Sequence, residues 1–157
     1  MADQTADPPF RPHDPRLVDL YRLWQAKCHD GRLPARSDFS LTDLQPLMGR
    51  IAILGVVDGG ADFRFRLYGS DIARAYRGEM TGKLVSEYRP HFYAKIAPGY
   101  REVIATKRPR YDVIEVDDEM MLYRWERLVL PLAGDGATVD MLLVASITLR
   151  YQEKGGP

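Results

Sequence analysis

The chain reads as an α+β protein built on one five-stranded antiparallel sheet, with short helices on one face and an amphipathic helix in front. Three observations predict this. Five strand-like runs occupy 50–57, 62–68, 111–116, 121–132 and 139–149. The turn signals Asp58-Gly59-Gly60, Asp117-Asp118-Glu119 and Gly134-Asp135-Gly136 join neighbouring runs at hairpin lengths. A helical stretch, 70–107, separates the second run from the third.

Residues 1–13, with Pro8, Pro9 and Pro12, read as a disordered tail, as do 152–157. Residues 14–151 read as one domain. Asp14-Pro15 opens a helix, because the carboxylate caps free N–H groups and proline suits the first turn. Leu17, Leu20, Tyr21 and Trp24 share one face of it, and Gly31 lies where a helix would stop. That apolar face must cover the domain or meet its copy in a second chain. Ser40 caps a second short helix to Met48, which Pro46 interrupts.

The first strand, 50–57, is apolar almost throughout and predicts burial on both faces, or on one face with the N-terminal helix covering the other. In the second, Phe63, Phe65 and Leu67 alternate with Arg64, Arg66 and Tyr68, so these two sets are expected on opposite faces. Gly69-Ser70 ends the strand and starts a short helix to Tyr76. Residues 90–107 form a longer helix with a kink or restart at Pro98-Gly99.

Composition narrows the function. Lys+Arg and Asp+Glu both total 22, so the chain lacks the broad positive field that nucleic-acid binding needs. A single cysteine, Cys28, forbids an internal disulfide and fits a reducing compartment. The N-terminus lacks a signal peptide's basic segment and apolar run, and no apolar run approaches the roughly 20 residues of a membrane span. A cytoplasmic protein that engages neither membrane nor nucleic acid is expected.

Certain segments together resemble a PAS domain, and more narrowly a bacterial PAS-like family of short stand-alone proteins. They are Leu33-Pro34-Ala35-Arg36, Arg66-Leu67-Tyr68-Gly69-Ser70-Asp71-Ile72, Thr81-Gly82, and Leu130-Pro131-Leu132 followed by Asp135-Gly136, in that order, within 16–150. The resemblance implies a sensory or regulatory unit holding a small molecule or a partner protein. It implies homodimerisation through the flanking helix, with Leu20 and Trp24 in the interface. No output domain follows the last strand, so signalling to a separate protein is implied. The family's ligands range from haem and flavin to small acids or none, so the cofactor is left unnamed.

The aromatic stock, Tyr76, Phe92, Tyr93, Tyr100, Tyr111, Tyr123 and Trp125, supplies walls for an apolar pocket. The polar groups set to converge on it are Arg66, Tyr68, Arg124 and Arg127. Residues proposed to bind ligand are Arg66, Tyr68, Tyr76, Phe92, Tyr93, Tyr100, Tyr123 and Arg127. An inward arginine needs an anion, which a carboxylate ligand would provide. Otherwise these arginines face solvent, paired with Glu115 or Glu126. Cys28 precedes the sheet and reads as a small helix residue, not a photoreactive thiol. His91 reads as a surface residue and not as a haem ligand, and His13 and His29 lack the spacing of a zinc site. Catalytic motifs are missing, and the acidic turn 117–119 reads as solvated. Two other readings stand beside the sensor. One is a ligand-free interaction adaptor. The other is a small α+β enzyme, which requires Asp71, Glu79 or Glu102 buried beside an arginine in the cavity.

Overall fold

A computed structural model describes residues 7–76 and 78–154. Helix α1 (Arg16–Lys27) and the single turn α2 (Leu41–Leu44) precede strands β1 (Ile51–Val57) and β2 (Asp62–Tyr68). Helices α3 (Ser70–Tyr76) and α4 (Pro90–Thr106) follow, then β3 (Arg110–Asp117), β4 (Met121–Leu132) and β5 (Met141–Glu153). The strands form one five-stranded antiparallel sheet, as expected of a PAS-like fold, and their order is β2-β1-β5-β4-β3. No helix among the described residues is long and apolar enough to cross a membrane.

The sheet separates two cores. On its outer face, Leu17, Leu20 and Trp24 of α1 pack on Leu128, Leu130, Leu132, Leu143 and Ala145. Trp24 buries its ring and donates its indole N–H to the Pro131 carbonyl at 2.9 Å. The α1 face expected at a dimer interface is therefore spent inside the chain: Leu20 is 4% exposed and Trp24 7%. On the inner face, α3 and α4 roof a core of Phe63, Phe65, Tyr88, Phe92, Tyr100, Val129 and Val144.

Several local features depart from simple pattern reading. Ile53 pairs with Leu67 but Leu54 pairs with Phe65, so Arg66 is an extra residue in β2. This bulge reverses the alternation beyond it. Tyr68 joins Phe63 and Phe65 on the inner side, while Leu67 packs into the outer core. Helix α4 runs unbroken through Pro98-Gly99. Pro46 converts the end of the second helix into a 3-10 turn, 45–47. The first tail is anchored from Phe10 onward, whose ring stacks on Tyr111 at 4.9 Å. At the other end β5 continues to Glu153, while 1–6 and 155–157 lie outside the described residues.

The segments that carried the resemblance meet in pairs. Leu33 N–H donates to Gly136 O, and Ala133 N–H to Pro34 O, both at 2.9 Å. Gly82 N–H donates to Phe65 O at 2.7 Å, which ties the Thr81-Gly82 turn to the outer edge of β2. At Gly69 a Cβ would lie 2.2 Å from Gly49 O. Only glycine lets the start of α3 approach β1 so closely, and that approach sets the position of the cavity's first wall.

Candidate functional site

Four strands and the two roof helices enclose a cavity of about 700 Å³. Its wall is largely aromatic because β2, β4, α3 and α4 each turn at least one ring toward it: Phe65 and Tyr68, Tyr123 and Trp125, Tyr76, and Phe92 and Tyr100. Tyr76 packs edge-on against Tyr88 at 4.7 Å and Phe92 at 5.0 Å, and Phe92 meets Tyr123 at 5.0 Å. Edge-to-face rings at these separations attract beyond their buried area. A hollow remains among them.

Of the residues expected at the site, Tyr68, Tyr76, Phe92, Tyr100, Tyr123 and Arg127 line this cavity. Arg66 and Tyr93 do not. Arg66 is the bulge residue, exposed on the outer side with its guanidinium against Gly55. Tyr93 turns toward Arg101, whose Nη2 donates to its hydroxyl at 2.6 Å. Trp125 of the aromatic stock and Arg124 also line the cavity, as do Tyr88 and Arg150, which the sequence did not single out.

Arg127 is 1% exposed, and its anion comes from the protein itself. Its Nε donates to Asp112 Oδ1 at 2.7 Å and its Nη2 to Asp112 Oδ2 at 3.1 Å. Nη1 donates to the Ile96 carbonyl of α4 at 3.0 Å, and the guanidinium lies over the Tyr100 ring at 4.8 Å. A Cβ at Gly99 would fall 2.2 Å from Nη2, so this glycine lets α4 descend onto the arginine. Burial pushes the Asp112 carboxyl up, but hydrogen bonds and charge from Arg127, then Arg110, outweigh it and hold the group below its usual range. Cross-strand pairing with Glu115 or Glu126 is thus not the role of Arg127.

The Tyr88 hydroxyl donates to the Tyr68 hydroxyl at 2.8 Å inside the cavity wall. Burial raises both phenols, so both keep their protons at neutral pH. Two hydroxyls hold two hydrogens and this bond uses one, which leaves the Tyr68 hydrogen as a donor for an acceptor in the cavity.

The mouth is basic. Arg16, Arg50, Arg74, Arg124 and Arg150 line it, with Asp14 and Asp71 as the only lining acids among the described residues. Asp71 lies 3.5 Å from Arg50 and 3.1 Å from Arg74, while Asp14 pairs with Arg16 at 2.6 Å. The hydrogen bond from Arg16 holds the Asp14 carboxyl below its usual range. Glu79 and Glu102 are exposed, one bonded to Thr81 and the other paired with Arg110. None of the three acids considered for catalysis is buried in the cavity.

His91 lies outside the cavity lining, 46% exposed, with Nε2 3.5 Å from Asp118. Asp118 is 8% exposed, which corrects the picture of a wholly solvated acidic turn. Its Oδ2 faces Arg89 and His91 as an ion pair without an aligned hydrogen bond. Burial pushes the Cys28 thiol up to about 11, an inert protonated state. No group of three His, Cys, Asp or Glu side chains suited to a metal occurs among the described residues.

Comparison with known families and with curated proteins returned no match to this chain.

Proposed function

We propose that this protein is a PAS-like sensory or regulatory module that binds a small molecule in its aromatic cavity. The observation that carries the reading is the hollow itself, an apolar chamber within the size range of ligand sites with a few convergent polar groups. An adaptor using a bare sheet face has less support, since α1 covers one face and α3 with α4 the other. An enzyme has less support because the cavity's acids sit at the mouth, already paired with arginines.

Strand β4 offers a route for the signal. It sends Tyr123, Trp125 and Arg127 into the cavity and the fully buried Glu126 to the opposite side. Glu126 accepts from the main-chain N–H of His13 at 2.8 Å and of Asp14 at 2.7 Å, and from the Tyr111 hydroxyl at 2.7 Å. A ligand that shifts β4 therefore acts on the strap ahead of α1. Such control requires different ligand affinity for two arrangements of the strap.

Native mass spectrometry of freshly purified protein tests the binding claim. The expected result is a mass excess that is lost on unfolding and is reduced in a Val144→Phe variant, whose larger ring projects into the chamber. The bare chain mass, together with no thermal shift from any member of a small-molecule library, would sink it.

A further inference from the structure

We infer that the cavity takes an amphipathic organic anion, with a flat apolar body among the rings and a carboxylate at the mouth between Arg124 and Arg150. This rests on the ligand-binding reading above and adds the chemistry of the ligand.

β1 pairs with β5 only as far as Ile51↔Ala145, and Ser146 N–H then donates to Arg50 O at 2.9 Å. Beyond that point β5 pairs with β4 alone, and the pairing continues to Met121↔Glu153. Ser146, Ile147 and Thr148 line the cavity in succession. Consecutive strand residues face opposite sides, so a lining that takes three in a row passes over an edge. The cavity thus leads from the ring-walled chamber, past the half-free edge of β5, to the basic mouth on the other side.

The charges at that mouth are uneven. Arg16, Arg50 and Arg74 have the two lining aspartates. Arg124 and Arg150 stand directly opposite each other in the β4–β5 ladder. Like charges facing each other across a ladder repel. Arg124 has only Glu115, at 4.0 Å, and Arg150 has no ion-pair partner among the described residues. The chain as a whole has zero net charge, so this excess is local. A carboxylate between the two guanidinium forks converts the repulsion into charge-assisted hydrogen bonds. Arg127 is already engaged by Asp112 and Ile96, which leaves the anionic end to the mouth and the apolar end to the chamber.

Calorimetric titration of the whole protein with 2-naphthoate and with its neutral amide, 2-naphthamide, separates the two claims. The acid is expected to bind at least about tenfold tighter than the amide, and high salt should erase that advantage. The double variant Arg124→Gln/Arg150→Gln should bring the acid down to the amide's affinity and leave the amide unchanged. Both side chains are exposed, so the variant is expected to fold; the salt series on the unaltered protein tests the same point without it. Equal binding of acid and amide, insensitive to salt and to the variant, overturns the anion inference and leaves the cavity as a ligand site. Absence of binding by either probe also overturns the anion inference, and the ligand-site reading then stands or falls on the mass-spectrometric test above.

Discussion

The two faces of the sheet bury similar kinds of residue to different ends. Outside, Leu128, Leu130, Leu132, Leu143 and Ala145 interlock with Leu17, Leu20 and Trp24, and branched aliphatic chains fill the space between helix and sheet. Inside, rings dominate, and edge-on rings with an arginine beneath α4 wall the inner part of a cavity that measures about 700 Å³ with its mouth included. The contrast teaches that buried apolar area alone does not mark a core as structural. What separates the two is whether the side chains can interdigitate.

The comparison breaks first at Leu20. If the outer face is a true core, Leu20→Glu buries a charge without a partner and unfolds the protein, as followed by circular dichroism. Recovery of a folded, sedimenting monomer would instead make that face a docking surface. Next comes Arg127→Gln, expected to cost about 3–5 kcal/mol in denaturant unfolding, because Asp112 loses the partner that offsets its desolvation. The same pair predicts a pH dependence. With its carboxyl held below the usual range, Asp112 contributes stability that is whole above about pH 4 and fades as the pH falls through the depressed value. Arg127→Gln should flatten that acid limb, and an unchanged limb would assign it to other carboxylates.

Two neighbours on β5 give the most direct contrast, since Val144 faces the chamber and Ala145 the outer core. Ala145→Phe should cost about 1–3 kcal/mol or more by overpacking, whereas Val144→Phe should cost under about 1 kcal/mol, because its ring has a void to enter. Equal penalties would mean that the chamber is closed in solution. A similarly modest effect, about 1 kcal/mol, is expected at Tyr68→Phe, since it removes the acceptor of the Tyr88 hydroxyl.

Much of the fold was legible in the sequence because turns and alternation are local signals. Asp62–Tyr68 and Met121–Leu132 fall where the pattern put them. The bulge at Arg66 was not legible: an extra residue leaves no mark in an unbroken run of alternating types, and it moved Tyr68 to the cavity side. The fate of the α1 face was open for a different reason, since amphipathicity says that a partner exists and not which one. The anion for Arg127 left a signal that went unused. Counting back from the acidic turn, a hairpin in regular register sets Asp112 opposite Arg127, as the ladder has it. Arg124 was legible as a polar group near the pocket, but its partner Arg150 was hidden, because the mouth depends on β1 ending short of β5, a matter of relative strand length that no single segment reports.

Glu126 has a further consequence. A carboxylate shut away from water and satisfied by the amides of a neighbouring segment ties that segment's departure to its own rehydration. Peeling residues 13 and 14 away leaves an acceptor stranded under the sheet, so intermediate positions are disfavoured and release becomes nearly all-or-none. Trimming the chain to begin at Pro15 would leave the same acceptor stranded for good, and such a shortened protein should prove less stable than its missing contacts alone would imply.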